Sequence, residues 1–455
     1  MIASQSSLRA LVRAGLSRSA LSLGIKVGTA GLTYLTYVIL SRTMGGDAYG
    51  YFAFGLSLAT VLSIGACMGQ QTAILRYWPE HEGAGRPDLA REALGGGGAL
   101  VIVAALGLAG AVSVAAALVG LAASQPVLHI VAAALLIIPM ALSEYWSSAL
   151  RAQGSVLTAL MPRDIGWRLA VPLVVVLLAL GGLSLSGAAA LLVTALLLFA
   201  ALGLQALVAL RRRYRLAPDF KALRPYWQRR GKPSRWFLMG TVVDSAALNL
   251  DTIFIGLLVA PVAAGIYFNA FRTAGLLTLF TFAITLVVAP MLSKHYHAGE
   301  MRQAQAITAL CAWAGFLFSL AIFLGFVFFG GAILSLFGQD DASGPLILVL
   351  LAFGLVVEAA TGPARIVMMM TGHERDYVRL FGLIVIVGLI VEIAVIPSGG
   401  IVAAAAVNGL ARAVAQVALT IRCRRTIGID PSLFGLFRIG RLPDRAEPAA
   451  SQSPL

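Results

Sequence analysis

The chemically distinctive residues of this sequence are charged side chains inside long apolar segments. They are the cations Lys26, Arg272, Arg365 and Arg412 and the acids Asp244, Asp251, Glu358 and Glu392. A charge within a membrane is costly, so such a residue faces a cavity or a partner. The cations suit an anionic or hydroxylated ligand, and the acids suit a bound proton or Na⁺.

Two of these groups lie on neighbouring apolar segments. Asp244 and Asp251 are seven residues apart and therefore share one helix face. They suit either a coupling ion or a structural role as partners of Arg272 and another arginine, and their spacing does not decide between these. Asn269 precedes Arg272 by three residues, which places both on one face as a donor pair for substrate. The alternative is that Arg272 forms an ion pair with an acid of the preceding segment.

Glu358 and Arg365 are also seven residues apart, on either side of Gly362 and Pro363. At about 1.5 Å per residue they are roughly 10 Å apart, which is too far for a direct ion pair. Each therefore needs another partner, water or substrate. Proline removes a helix donor and permits a bend, so we expect a broken helix at a central site. The alternative is an inert kink with salt bridges between helices.

The remaining charged positions each leave two interpretations open. Lys26 either faces an aqueous cavity or extends to the nearest headgroups. Arg412 lies between Asn408 and Gln416 in a polar stripe with a spacing of four residues. That stripe either lines the cavity or forms hydrogen bonds between helices. Glu392 is isolated in its segment, and we group it with the weak candidates for ion coupling.

The composition shows which elements must position these residues. Of 455 residues, 59% are hydrophobic and 12% are charged, whereas a soluble domain carries about 25% charged residues. We therefore predict an all-α polytopic membrane protein with about twelve spans. The predicted spans are 19–41, 49–74, 93–122, 127–149, 156–181, 186–210, 236–259, 262–291, 304–330, 345–371, 378–396 and 400–422.

The basic residues predict the orientation of these spans. Of 34 Lys and Arg residues, 30 lie in the two terminal segments and the even-numbered connections, ten of them between 211 and 235. This asymmetry predicts that both termini are cytoplasmic in a multi-pass inner-membrane protein. It also accounts for the net charge of +14 without nucleic acid. The 211–235 segment suits anionic membrane lipids, or the capture of an anionic lipid-linked substrate.

A faint duplication predicts the organisation into domains. Residues 45–58 and 260–273 each place a small-residue turn and a Gly-aromatic pair at the start of a span. We therefore predict a six-helix bundle at 1–210, a basic cytoplasmic linker at 211–235, a second bundle at 236–422 and a cytoplasmic tail at 423–455. Such repeats share one orientation, as in many transporters.

The connections argue against an enzyme. The outward loops are too short for the active-site domain of a sugar polymerase, and we predict no catalytic residue and no cofactor. The tract Gly95–Gly98 lacks the GK[ST] ending of a phosphate loop, so it indicates close helix packing. The isolated cysteines at 67, 311 and 423 and the scattered histidines predict no metal site.

Four stretches of sequence resemble a known family: 41–63, 249–276, 333–338 and 361–376. With their spacing, they make the chain similar to bacterial polysaccharide-exporting flippases. These form the polysaccharide-transporter branch of the multidrug/oligosaccharidyl-lipid/polysaccharide exporter superfamily. The resemblance implies a V-shaped pair of six-helix bundles around a central cavity, alternating between inward-open and outward-open states.

The resemblance also implies a substrate, an oligosaccharide on undecaprenyl diphosphate. Lys26, Arg272 and Arg365 would then face the diphosphate and sugars, and Asp251 matches an acid common in the family. The pathway would be that of lipopolysaccharide, exopolysaccharide or capsule, with a glycan polymerase and glycosyltransferases as partners. Lipid II flippases carry several basic residues in the first two spans, whereas this chain has Lys26 and, at the edge, Arg42. The alternative function is a cation-coupled multidrug exporter.

Overall fold

The computed structural model describes residue 24 and residues 28–123, 127–338 and 341–441. Within these residues the regular structure is helical and contains no strand. Lys26, a predicted substrate-binding residue, lies outside the described part of the chain. Its predicted role therefore stays a prediction.

The helices of the first part of the chain are as follows. They are α1 (28–44), α2 (Gly46–Ala66), α3 (Gln70–Gly83), α4 (Pro87–Ala123), α5 (Leu128–Ala152), α6 (Val156–Leu160), α7 (Trp167–Leu180), α8 (Gly187–Arg211) and α9 (Leu223–Leu258). A π-helical turn, Met161–Gly166, joins α6 to α7. The predicted linker is partly helical, because α9 begins at Leu223 and continues into the next apolar segment.

The second part of the chain contains six further helices. They are α10 (Pro261–Ala274), α11 (Thr278–His297), α12 (Met301–Ser335), α13 (Gly344–Thr361), α14 (Ala364–Met370) and α15 (Glu374–Thr426). Two 3₁₀ segments accompany them, Gly275–Leu277 between α10 and α11, and Leu433–Arg441 after α15. Gly400 interrupts α15 with a φ of 60°; it is the first residue of the span predicted at 400–422, which follows the span predicted at 378–396.

Eight stretches of the described chain are long and apolar enough to cross a membrane. The other predicted spans have identifiable positions: 19–41 reaches outside the described residues, and 156–181 and 262–291 are interrupted by the π turn and by a 3₁₀ segment. The spans 378–396 and 400–422 are joined in α15. The protein is thus an all-α polytopic membrane protein, as the composition predicts.

The outer surfaces of the helices are apolar. Leu121, Leu180 and Phe328 are 82%, 80% and 74% exposed. Such side chains are compatible with hydrocarbon, where every backbone polar group is satisfied inside its own helix. The buried positions hold smaller and aromatic side chains, including Tyr49 and Tyr145.

The chain divides into two compact units by the proximity of its Cα atoms. The first unit comprises Met1–Phe268 with Phe337–Gln339, and the second comprises Asn269–Leu336 with Asp340–Leu455. Helix α9 lies in the first unit, where Gly256 packs against Phe54 of α2. Our predicted six-helix bundles at 1–210 and 236–422 are not tested by this division, so they stay a prediction.

Candidate functional site

Glu358 and Arg412 form an ion pair in the second unit. Nη1 of Arg412 donates to Oε2 of Glu358 at 3.1 Å, and the two side chains are 19% and 36% exposed respectively. The pair joins α13 to α15, which cross closely because Gly354 and Gly409 lie at the contact. A Cβ on Gly409 would lie 2.3 Å from the carbonyl oxygen of Leu350. Glycine at this crossing therefore brings the two predicted charges together.

A helix break follows one turn after Glu358. Helix α13 ends at Thr361 and α14 begins at Ala364, with Gly362 at a φ of 72°. This left-handed conformation favours glycine, and Pro363 cannot donate to the preceding turn. Helix α15 contacts both sides of the break. The hydroxyl of Thr420 donates to the carbonyl of Thr361 at 3.2 Å, and the thiol of Cys423 donates to the carbonyl of Ala364 at 3.5 Å. The predicted broken helix is present.

Arg365 lies beyond the break and is exposed. Its guanidinium carbon is 5.3 Å from the centre of the Tyr377 ring, within range of a cation–π contact. It does not pair with Glu358, as the seven-residue spacing requires. A second ion pair, Arg422 with Asp376 at 2.6 Å, lies on the exposed surface of α15.

The other predicted residues have mixed surroundings. Asp251 is 2% exposed, and the hydroxyl of Tyr267 donates to its Oδ2 at 2.7 Å. Glu392 is equally buried, whereas Asp244 and Arg272 are half-buried. Asn269 is buried, and its backbone carbonyl accepts a bond from Thr273. These positions stay candidates for binding or coupling.

A charged cluster that sequence reasoning did not single out lies around the π turn of the first unit. Nη2 of Arg163 donates to Oε1 of Glu144 on α5. Oδ1 of Asp164 lies 3.7 Å from Nε of Arg163 and 3.5 Å from Nη1 of Arg168. Asp164 is 2% exposed. We call Glu144, Arg151, Arg163, Asp164 and Arg168 the π-turn cluster.

The π turn itself positions this cluster. Its wider winding leaves backbone carbonyls without regular partners, and such turns are frequent at functional sites. Nη1 of Arg168 donates to two of these carbonyls, those of Arg163 at 3.1 Å and Asp164 at 3.2 Å. Thr36 of α1 donates to the carbonyl of Arg168 at 3.1 Å. The guanidinium group is therefore held by the distorted backbone.

Arg163 and Arg168 lie against the two acids of the π-turn cluster, whereas Arg151 donates to two serines of α5, so the cluster has one more arginine than it has acids. Arg163 and Arg168 remain 17% and 21% exposed. Among the described residues, Nε of Arg168 is a buried donor that forms no hydrogen bond. The cluster can therefore accept an anionic oxygen. The sequence signal was an acid and a proline, Asp164 and Pro162, next to these arginines.

The basic linker is packed against α4. The amide of Asp219 donates to the carbonyl of Gly95 at 2.9 Å, and a Cβ on Gly95 would lie 2.7 Å from that of Asp219. The glycine tract therefore serves close packing, as predicted. Tyr226 donates to Gln70 at 2.5 Å, and burial raises the pKa of its phenol. Exposed cations of this segment lie at Arg211, Arg212, Arg213, Arg215, Lys221, Arg224, Arg229 and Arg235.

The described residues contain no cluster of three or more His, Cys, Asp or Glu side chains that could hold a metal ion. The three cysteines are free thiols, two of them buried. In each of the two units, guanidinium groups lie close to carboxylates and to interrupted helices. These features suit binding and movement of a charged ligand.

Solved membrane transporters share this architecture. The chain superposes on an inward-facing multidrug resistance MATE family transporter of the MOP superfamily with a TM-score of 0.65, at 14% identity over 91% of this chain and 94% of that one. It matches the lipid II flippase MurJ in an inward closed conformation with a TM-score of 0.67, at 14% identity over 93% and 92%. A MOP superfamily transporter from Pyrococcus furiosus matches with a TM-score of 0.60, at 14% identity over 94% of this chain and 95% of that one.

The sequence identifies the family. The chain belongs to the family described as polysaccharide biosynthesis protein, which matches residues 18–296, more than half of its length. No curated protein matches the chain. The identities to the solved structures are low, so those structures define the fold alone.

Proposed function

We propose that this protein is a flippase that carries undecaprenyl-diphosphate-linked oligosaccharide across the inner membrane by alternating access. The observation that carries the proposal is that guanidinium groups lie beside helix breaks in a member of a polysaccharide biosynthesis family. A lipid II flippase has the same fold, so the fold is compatible with movement of a lipid.

The chemistry of the substrate explains the need for these arginines. A sugar diphosphate cannot cross hydrocarbon unaided, because its charges lose their hydration. Arginine compensates with two parallel hydrogen bonds to phosphate oxygens. Arg412 and Arg168 each lie in an ion pair and retain some exposure. A phosphate can therefore replace the carboxylate as the partner of the guanidinium group.

The proposal assigns roles to the remaining candidates. Lys26, Asn269, Arg272 and Arg365 are further substrate contacts. Asp244, Asp251, Glu358 and Glu392 are coupling sites for a proton or Na⁺. In this scheme Glu358 holds Arg412 in the absence of substrate and is released when a phosphate binds. No cofactor or catalytic residue takes part.

The proposed pathway is the assembly of a surface polysaccharide, either lipopolysaccharide, exopolysaccharide or capsule. Glycosyltransferases would supply the lipid-linked unit on the cytoplasmic side, where both termini lie, and a glycan polymerase would consume it outside. The exposed cations of the linker would attract anionic lipid at that surface.

Deletion of the gene tests the proposal in cells. We expect loss of surface polysaccharide and accumulation of lipid-linked units in the inner leaflet. The wild-type chain should restore the polymer. Arg422→Gln, which alters an exposed ion pair on the same helix as Arg412, should also restore it. A deletion strain with unchanged polymer and no accumulated lipid intermediate would refute the proposal.

A cation-coupled multidrug exporter is the second candidate, supported by the similarity of fold to a MATE transporter and by the buried Asp251. This function predicts drug sensitivity on deletion, with surface polysaccharide intact. Asp251→Asn would then abolish drug efflux. The two candidates therefore give opposite phenotypes in one strain.

A further inference from the structure

The chain after α15 folds back onto the second unit. We call residues 427–441 the C-terminal strap; it includes the 3₁₀ helix Leu433–Arg441. The side-chain amide of Gln305 on α12 donates to the carbonyls of Asp430 at 2.6 Å and Gly435 at 3.2 Å, and its oxygen accepts from the amide of Asp430 at 2.8 Å. The indole of Trp313 donates to Leu433 at 3.1 Å. The strap is thus fixed to α12.

Asp430 organises the strap from inside. It is fully buried, and its Oδ1 accepts bonds from the amide and the hydroxyl of Ser432 at 3.1 and 2.7 Å. Its Oδ2 lies 3.4 Å from Arg424 and 4.0 Å from Arg438. These bonds set the direction in which the 3₁₀ helix leaves the end of α15.

The opposite surface of the strap is apolar. Phe434 and Phe437 are 70% and 72% exposed, and Leu436 is 39% exposed. The two phenylalanines are three residues apart, so they share one side of a 3₁₀ helix. Arg438 is half-buried beside them, and the exposed Arg424 and Arg425 end the last membrane helix. Exposed aromatic rings flanked by cations are typical of a segment at a membrane interface.

The position and size of this surface determine its occupant. The strap follows directly on α15, one of the membrane-spanning stretches, so it begins at a bilayer surface. An aromatic side chain buries about 150–250 Å², so the two phenylalanines provide roughly 300–500 Å², which is less than the roughly 800 Å² that a stable protein partner covers. The strap is covalently attached to a membrane helix, so it can bind lipid with a smaller contact area than a separate protein partner needs.

We infer that the C-terminal strap is a membrane-surface anchor whose phenylalanines insert among the anionic lipids of the leaflet beside the end of α15. The three cations at 424, 425 and 438 outnumber the one acid of this segment, Asp430, so this end of the chain is net positive and attracts such lipids. This inference does not depend on the proposed substrate.

The anchor also contacts the helix break. A Cβ added to Gly362 would lie 1.8 Å from the carbonyl oxygen of Pro431. The strap therefore packs directly on the turn between α13 and α14. Anchoring of the strap restrains that turn, next to the pair of Glu358 and Arg412.

Quenching of a fluorophore on the strap tests the inference. The full-length protein with Cys311→Ser and Phe437→Cys carries bimane and is reconstituted in liposomes of anionic and zwitterionic lipid. Ala298→Cys, on the exposed loop between α11 and α12, is the matched control. We expect nitroxide-labelled lipid to remove most of the fluorescence at 437, more strongly with anionic lipid, and aqueous iodide to quench mainly at 298.

Three outcomes would overturn the inference. Iodide could quench position 437 as it does 298, which would place the strap in water. Neither quencher could reach it, which would indicate burial against protein. Quenching could also be the same in zwitterionic and anionic lipid, which would remove the role of the cations. Phe434→Cys provides a second position if the variant at 437 does not fold.

Discussion

Replacement of Arg412 by glutamine separates a substrate-binding role from a structural one. The Glu358–Arg412 pair is neither fully buried nor free in solvent. Loss of a buried partner costs about 3–5 kcal/mol, and an exposed pair contributes about 0–1 kcal/mol. We therefore expect Arg412→Gln to lower the free energy of unfolding by about 1–2 kcal/mol, between these limits.

The effect on transport has a different origin. A hydrogen bond to a charged group contributes about 1.5–3 kcal/mol, and about 1.4 kcal/mol is a factor of ten. If Arg412 binds phosphate, its loss slows flipping by roughly tenfold to a hundredfold. Glu358→Gln leaves the guanidinium group in place, so in proteoliposomes without an ion gradient it should impair transport less than Arg412→Gln does.

The double variant Arg412→Gln with Glu358→Gln distinguishes the two roles. It removes both charges, so the unfolding free energy should recover towards that of the wild type. Flipping of labelled lipid-linked oligosaccharide in proteoliposomes should stay slow, because the phosphate ligand is still absent. Arg422→Gln is the control for loss of a cation from α15. Recovery of flipping together with stability would refute a binding role for Arg412.

Three further predictions concern other parts of the structure. Gly362→Ala places a side chain on a residue with a left-handed backbone and against the strap at Pro431, so it should lower the free energy of unfolding by about 1–3 kcal/mol in a thermal unfolding assay. The control is Gly107→Ala at an open helical position, which should lower that free energy by less than about 1 kcal/mol or raise it; equal effects of the two variants would contradict the packing described. Arg168→Gln should weaken binding of inorganic diphosphate measured by calorimetry, whereas Arg168→Lys should retain part of it; unchanged binding would remove the π-turn cluster from the site. Gly95→Val should displace the linker and expose it to trypsin, and unchanged cleavage would show that the linker does not depend on this contact.

The sequence predicted features that depend on local chemistry. Apolar segments and the scarcity of charge determine a polytopic helical protein, because hydrocarbon leaves few alternatives. Gly362 and Pro363 determine a helix break through their own backbone properties. The seven-residue spacing correctly predicted that Glu358 and Arg365 do not form an ion pair with each other.

Contacts between distant residues were not predictable in the same way. Glu358 binds Arg412, 54 positions later, and the sequence contains no signal that α13 and α15 cross at that height. The π-turn cluster combines Glu144 of α5 with residues of the π turn and of α7, and its arginines looked like ordinary members of a basic connection. The linker was expected at a lipid surface, but its packing on Gly95 depends on tertiary structure. The two halves and the role of Lys26 stay predictions.

The most direct measurement is the rate at which the purified protein moves a fluorescent undecaprenyl-diphosphate oligosaccharide across the bilayer of a proteoliposome. Reduction of the fluorophore by an impermeant reagent reports the fraction exposed outside. The proposed function predicts faster exchange than in protein-free liposomes, and little acceleration of the same lipid without its phosphates. Exchange no faster than in protein-free liposomes, with uptake of a cationic drug driven by an ion gradient, would contradict it.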